Sequence, residues 1–582
     1  MKPIKLKITI KLITPLHIGG EPGEDTNISY ILRGADGKAY YPGTAFKGKV
    51  RHHALQLQEE RCHFPDSCKC KVCRLFGGEG NAQGSLIFSN LYAVGEQETD
   101  LRVGNSIDRF RRVAEDEKLF TTEVAAISAV VGYITGNVDD RCLTLLENSI
   151  KFIRQIGGNS SRGLGWIDGD IMVSNEPIDP IEQIDSGTDN ALEKCVRVTI
   201  TPKSPLLIGT HTTQSNFRDS QCTIPGAVMR SALAKAICEQ DKTATPTSAG
   251  RIRWVAPITG ETFFPNLRSV FSDLRFSALN ANLQPEPHPI TTRKCKLNEE
   301  KHDKVDILYL LLSKAWKSGK ITEKCQHPEC EGRLEKVDPY EDIEEQMLTV
   351  TSTHSEMDKW RGTSRDERLH TIRAIAPSTS ENSIAFQGTI SGNFDMKELS
   401  ILQESPLYVG AMLTSGFGEC EVKFEAVSDT LTSDLSIKKN ELSARIKKFN
   451  TLVGRNETYV PITLVSDAFV DLKEPDDGNY TKAYEDIVKP FKLERVITKT
   501  RVWRGFDTSE PREVAKPTKF LLQAGSVLVV RVNTLDDTLL ENLLRIECEG
   551  IGDETHVGYG AVRVAHENHI KNVAGKGNKC NG

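Results

Sequence analysis

Four cysteines crowd one short stretch, CHFPDSCKCKVC, at positions 62, 68, 70 and 73. Thiolates this dense can close a tetrahedral Zn–S₄ site of the structural type, with His63 as a substitute ligand. Chance clustering explains such spacing poorly. A looser set follows at Cys295, Cys325 and Cys330, with His302 and His327 nearby. Those three thiols and His302 suffice for a second zinc site, although a C-x₄-C pair with a distant third thiol also arises by chance. Cations gather in PGTAFKGKVRHH, where Lys47, Lys49, Arg51 and His52 sit at what reads as a helix start, a place that favours anions. The plainer reading is a solvated basic face. NSIDRFRRV sets Arg109, Arg111 and Arg112 beside Ile107 and Phe110, which is also the pattern of an exposed hairpin of mixed charge.

The elements that must carry these residues repeat. KLKITIKLITPLHIGG (5–20) has a partner in CVRVTITPKSPLLIGT (195–210): alternating strands that run into a Pro-Leu-x-Ile-Gly turn. AYYPGTAFKGKVRHHAL (39–55) has one in CTIPGAVMRSALAKAI (222–237), each a short strand, a Pro-Gly turn and a helix with a basic residue near its start, Arg230 in the second. Each unit closes on a glycine loop before a strand. The loops are RQIGGNSSRGLGW (154–166), with Gly157, Gly158, Arg162 and Gly163, and YVGAMLTSGFGECEVKF (408–424). A third, shorter echo runs from VPITLVSDAFV (460–470) to GIGDETHVGYGAVRV (550–564) and lacks the Pro-Gly helix. For any single copy, a helix C-cap turn is the first reading. No P-loop or dinucleotide fingerprint fits, because each glycine run precedes a strand instead of opening a helix.

Strand, helix, strands, helix, glycine loop, strand is the order of a ferredoxin-like or RRM-like α+β unit. The expected organisation is tandem units with zinc-binding insertions: 1–175, a linker at 176–194, 195–430 with a Cys/His insertion at about 285–345, a smaller unit at 431–570, and a disordered tail at 571–582. The chain's 582 residues suit several domains. Hydrophobic residues make up 38% and charged residues 26%, the balance of a globular protein. No apolar run is long enough for a membrane span. The opening residues alternate Lys with Ile and Leu, a strand pattern and not a signal peptide, so cytoplasmic localisation and free or zinc-bound thiols are expected among the 14 cysteines. A net charge of −6 argues against a generally basic nucleic-acid binder, so any such role must rest on local patches.

The arrangement resembles the RAMP (repeat-associated mysterious protein) subunits of type III CRISPR effector complexes. PLHIGG, YYPGTAFKGKVR, CKCKVCRLFGG, NSIDRF…LFTTEV and GGNSSRGLG, spread over most of 1–175, look like a backbone subunit that polymerises along a guide RNA. SPLLIG, IPGAVMRSAL, PHPITTRKCK, CQHPEC, PITLVSDAF, VWRGF…KPTKFLLQAGSVLVV and GYGAV, over 195–570, look like the subtype D cap subunit that holds the guide's 5′ repeat tag. The whole reads as a fusion of the two.

The resemblance implies roles. The first glycine loop would line the RNA path, with Arg162 on a phosphate oxygen; copies two and three, without an arginine in the glycine core, would be structural. Arg563 follows the third. Lys47, Lys49, Arg51 and His52 would hold guide backbone. Arg109, Arg111 and Arg112 would sit in a thumb hairpin that wedges into the guide–target duplex. Relatives cut target RNA with a loop aspartate and a divalent metal. If Arg33 takes the place of the family arginine, the aspartate position falls near Ile28; a small gap brings in Asp25, with Glu21 and Glu24 as stand-ins and His17 as a neighbour. Two outcomes stay open at that loop: metal-dependent cleavage with Mg²⁺ or Mn²⁺, and a site that only holds RNA. Partners would be crRNA, target RNA, further backbone subunits, a small helical subunit and a large polymerase-like signalling subunit, with no membrane. The alternative is a stand-alone RNA-binding or precursor-processing protein. It lacks the aromatic RRM signature, and His354, His370 and Asp366 are supported by no motif.

Overall fold

The computed structural model of the chain describes residues 2–22, 28–34, 36–60, 62, 68, 70–77, 84–176, 192–209, 216–240, 263–283, 286–299, 301–313, 325, 327, 330–357, 364–379, 383–427, 435–470, 481–503, 506–507, 514–515 and 518–571. The protein is α+β, built of ferredoxin-like units in which antiparallel sheets carry helices.

Alternation builds the first sheet. In Lys2–Lys11 the side chains of Leu6, Ile8 and Ile10 are fully buried while Lys5 and Lys11 lie exposed on the other face. Each such burial contributes about 1.5–3 kcal/mol. The strand lies between Met172–Asn175 and Ala129–Val138, and Leu91–Val94 follows on the far side of the latter, all antiparallel. In chain order this is fourth, first, third, second. Helices Gly43–Leu57 and Asp140–Lys151 close the core with Phe46, Val50, Leu146 and Ile150. Asp139 caps the second helix by accepting from the Cys142 N–H at 2.8 Å.

The order recurs. In the second unit Leu192–Pro202 lies between Glu419–Ala426 and Phe386–Asp395, with Gly226–Gln240 and Met396–Gln403 as helices. In the third, Thr458–Leu464 lies between Val562–Val564 and Val527–Val532, followed by Lys492–Ile497. Three separate apolar cores match these sheets. Asp395 and Asp536 cap the later second helices as Asp139 does the first.

The Cys/His segment spans two cores: Ile343 near its end is buried in the second unit's core, while its middle packs on the third. Leu308 and Leu312 are buried in the third core, the Ile290 N–H donates to the Gly525 carbonyl at 2.8 Å, and Arg563 pairs with Glu286. An apolar helical turn at Leu308–Leu312 cannot stay in water, and the third unit's core, through the helix Leu435–Val453, covers it. Of the expected linker at 176–194, residues 177–191 lie outside the described residues and 192–194 already belong to the strand Leu192–Pro202; of the expected tail at 571–582, residues 572–582 lie outside them and Lys571 ends the helix Asn568–Lys571.

Candidate nucleic-acid interface and metal sites

The three glycine loops are one backbone conformation used three times. Gly157, Gly410 and Gly552 have φ of 83°, 90° and 81°. Two positions on, Asn159, Met412 and Glu554 stand at 54°, 59° and 60°; then Gly163, Gly416 and Gly558 at 84°, 88° and 87°, and Gly165, Gly418 and Gly560 at 69°, 77° and 70°. Such values favour glycine. The same hydrogen bonds close each loop: Ile156, Val409 and Ile551 donate to the carbonyls of Gly165, Gly418 and Gly560 at 2.8–2.9 Å. Each loop also clasps the end of its unit's first strand, through Gly165 to Pro15, Gly418 to Pro205 and Gly560 to Asp467. The repeated motif thus has a structural role in each copy.

Around the first loop the candidate residues gather. The Gly158 N–H donates to the His17 carbonyl at 2.8 Å. His17 is buried, and its Nδ1 meets the Glu123 carbonyl at 2.7 Å. A carbonyl only accepts, so Nδ1 carries a proton, and Nε2 lies 3.4 Å from Ser29 Oγ. Glu123 in turn accepts from the Ile31 N–H at 2.9 Å and pairs with Arg33, so Arg33 braces the site. Asp25 and Glu24 lie outside the described residues, and so does the side chain of Glu21. Strands Gly19–Pro22 and Ile28–Ile31 pair on either side of the segment that holds Asp25.

A long hairpin rises beside this site from Glu98–Ile107 and Ala114–Ala126. Its outer part leaves Leu101, Val103, Ile107, Val113 and Leu119 exposed, and Phe110 at the turn is 98% exposed. Asp108 builds that turn by accepting from the N–H groups of Phe110 and Arg111, and the bonds from Arg111 and then Phe110 hold its carboxyl below the usual range. Arg109, Arg111 and Arg112 therefore flank one bare aromatic ring. Arg162 reaches back to the hairpin, with its guanidinium 4.7 Å from the centre of the Phe120 ring.

The basic residues of the first helix do not form one cluster at its start. The helix begins at Gly43, which puts Arg51 and His52 in its middle. Successive residues turn by about 100°, so Lys47 and Arg51 share a face while Lys49 lies on another. Lys47 donates to Thr414 Oγ1 at 2.9 Å, across the seam to the second unit. Burial, and then the charge of Arg51, lowers its ammonium to about 8. His52 packs against His53. Arg230 lies over the Phe271 ring at 5.7 Å.

The ligand atoms of Cys62, Cys68, Cys70 and Cys73 all lie within 4.8 Å of one another, and Cys62 Sγ is 3.9 Å from Cys68 Sγ and 3.4 Å from Cys73 Sγ. Tetrahedral Zn–S bonds of about 2.3 Å place sulfurs about 3.8 Å apart, so this set could hold a metal such as zinc. Burial pushes the Cys70 and Cys73 thiols up, and a bound cation reverses that cost by stabilising thiolates. Cys70 caps the helix Lys71–Phe76, whose Arg74 pairs with the cap residue Asp139 at 2.7 Å and ties the insertion to the core. His63 lies outside the described residues. Cys295, His302, Cys325 and Cys330 form a second such set: Cys295 Sγ is 3.6 Å from Cys330 Sγ, and Cys325 Sγ 3.3 Å from His302 Nδ1. His327 stacks on His302 at 4.1 Å instead of joining it.

One repeated element goes unnoticed in the sequence. Phe88-Ser89-Asn90-Leu91 and Phe276-Ser277-Ala278-Leu279 occupy the same place, beside the Pro-Gly helix starts at Gly43 and Gly226. Their serines make the same bonds, to the carbonyl that follows and from the N–H of Tyr133 or Thr389. A Phe-Ser-x-Leu match at similar distance from two Pro-Gly turns is the signal that could have revealed it.

Fold and surface together define a protein of ferredoxin-like α+β units whose first unit bears cations and a bare wedge beside a glycine loop. Residues 9–168 match the family model of the RAMP superfamily. That match supports a CRISPR-associated RNA-binding protein. No curated protein matches the chain. No helix among the described residues is long and apolar enough to cross a membrane.

Proposed function

We propose that the chain is a subunit of a type III, subtype D-like CRISPR RNA-guided effector complex. The N-terminal unit holds guide backbone and spreads the guide–target duplex with its hairpin. The second and third units act as the cap on the 5′ repeat tag. The observation that carries this reading is the hairpin tip: Phe110 is 98% exposed between three arginines, an arrangement that its own fold does not use. Apolar wedges flanked by cations suit insertion between bases and contact with phosphates. Zinc at the two Cys-rich sets holds the insertions. Replacing Arg109, Arg111 and Arg112 by Glu is expected to lower RNA retention alike for every guide sequence and to flatten its salt dependence. Unchanged RNA content contradicts it.

Cleavage of target RNA at one place belongs to the same reading. Its favouring observation is His17, whose Nε2 lies beside Ser29 in one of the strands that flank Asp25. Asp25 would supply a carboxylate for Mg²⁺ or Mn²⁺ near the scissile phosphate. Asp25→Ala is expected to remove one cut and leave target binding intact; if every cut survives, this unit only holds RNA.

A further inference from the structure

One backbone position carries a different side chain in each unit. The loop N–H groups of Gly158, Ala411 and Asp553 donate to the carbonyls of His17, Leu207 and Phe469 at 2.8, 2.9 and 3.3 Å, so these three residues stand in the same place after their units' first strands. The residue between the last two glycines of each loop differs as well: Leu164, Phe417 and Tyr559. In the second unit Leu207 and Phe417 share a small apolar cluster. In the third, rings gather instead. The Trp503 ring meets Phe469 edge-on at 5.4 Å, with 87° between their planes, and the Tyr559 ring lies 4.6 Å from Phe469. Lys519 stands opposite Trp503 in the paired strands Thr500–Trp503 and Lys519–Leu522, with its ammonium 5.1 Å from the centre of the Phe469 ring.

The third unit's core does not need this cluster. Phe469 is buried yet joins none of the apolar cores, whereas Ala468 and Val470 on either side of it are buried in the third. Trp503, Tyr559 and Lys519 stay half-exposed beside it. Arg501, the other cation of these strands, is engaged with Asp467. Indole and phenol rings stack on any base, and a lysine ammonium suits a phosphate. We propose that Trp503, Tyr559 and Lys519, on the floor that Phe469 provides, hold one unpaired nucleobase of single-stranded RNA, with its ring stacked on the indole or phenol and its phosphate beside the ammonium. RRM modules stack bases on the face of the main sheet; here the rings lie between a glycine loop and a hairpin. The proposal rests on the reading of the third unit as part of the cap and gives that reading a definite place.

The test uses the full chain as isolated with its RNA from the native host, cross-linked by ultraviolet light and digested, with adducts mapped by mass spectrometry. The expected adduct joins Trp503 or Tyr559 to a single nucleotide position, counted from the end that the RNAs share. RNA whose adducts all lie elsewhere in the chain overturns this site and leaves the RNA reading standing; a chain that carries no RNA removes both. Rebinding of the stripped RNA then separates stacking from support of the fold. Phe469→Leu with Tyr559→Leu introduces side chains that the same backbone already accepts at Leu207 and Leu164. It should weaken rebinding about tenfold with an unchanged slope against salt, because stacking releases no counterions. Lys519→Gln should lower that slope by about one. Trp503→Phe keeps a stacking face and should bind within about twofold of the parent, whereas Trp503→Leu should lose about tenfold. Full affinity in the double variant, equal losses for Trp503→Phe and Trp503→Leu, or an unchanged slope for Lys519→Gln overturns the proposal.

Discussion

The first and second units share a sheet order, a glycine-loop backbone and a Phe-Ser edge, yet they spend these parts differently. The second unit's loop is packed against a neighbour, and Val350 of its hairpin Thr349–Met357/Ser364–Ile375 packs on the first unit's core. The first unit's loop tip and its hairpin tip stay bare. One fold thus supplies both an internal joint and a bare surface, and what distinguishes them is what lies against the same backbone.

Removing metal should separate the two units most. Thiolate zinc sites contribute directly to folding, on the order of 10 kcal/mol in small peptides. Chelation is expected to release two zinc ions per chain. Loss at the Cys62 set should loosen the first unit's insertion, whereas loss at the Cys295 set should loosen the joint of the second and third units. Element analysis with hydrogen exchange checks both, and a chain purified without chelator that holds no zinc ends this account of the insertions.

Gly165→Ala should cost on the order of 3 kcal/mol, because φ is 69° and the added carbon falls on the Ile156 carbonyl oxygen. Gly418→Ala should do the same at Val409. Equal losses in denaturant unfolding support a structural role in both loops.

Acid should act on the second hairpin. Burial, and then the charge of His370, depresses His354 to about 4 from 6.5. The neutral imidazole is favoured by the fold, so this stability is complete above about pH 6.5 and is lost as pH falls toward 4, by about 3 kcal/mol. His354→Gln should flatten the acid limb of a melting-temperature profile in that window; an unaltered limb removes His354 from the account.

The smallest effect is the sharpest comparison. Gly416→Ala and Gly163→Ala incur the same left-handed strain of about 1 kcal/mol. Only the first also pushes on Asn90, for about 2 kcal/mol more. Hydrogen exchange at 43–47 and 88–90 should rise for Gly416→Ala alone. Equal behaviour would mean that the seam does not depend on the loop.

Much of the fold and part of the site are legible in the amino-acid order alone. Leu6, Ile8 and Ile10 announce a strand because alternation has no other economical use, and four close cysteines limit their chemistry. The Cys295, His302, Cys325 and Cys330 set is legible too, although its placement on the third core is not, since Leu308 and Leu312 could serve any apolar surface. Lys47 and Lys49 look adjacent in sequence, but helical rotation parts them. His17 gives no sign of its bond to Glu123, because a contact over 106 positions leaves no local trace.

The most direct measurement is the RNA itself. The chain, purified from its native host and cross-linked by ultraviolet light, is predicted to carry RNA of uniform length that shares one repeat-derived end, with adducts within 98–126 and near Phe110. RNA of random ends, or none, or adducts that avoid that hairpin, would contradict the account.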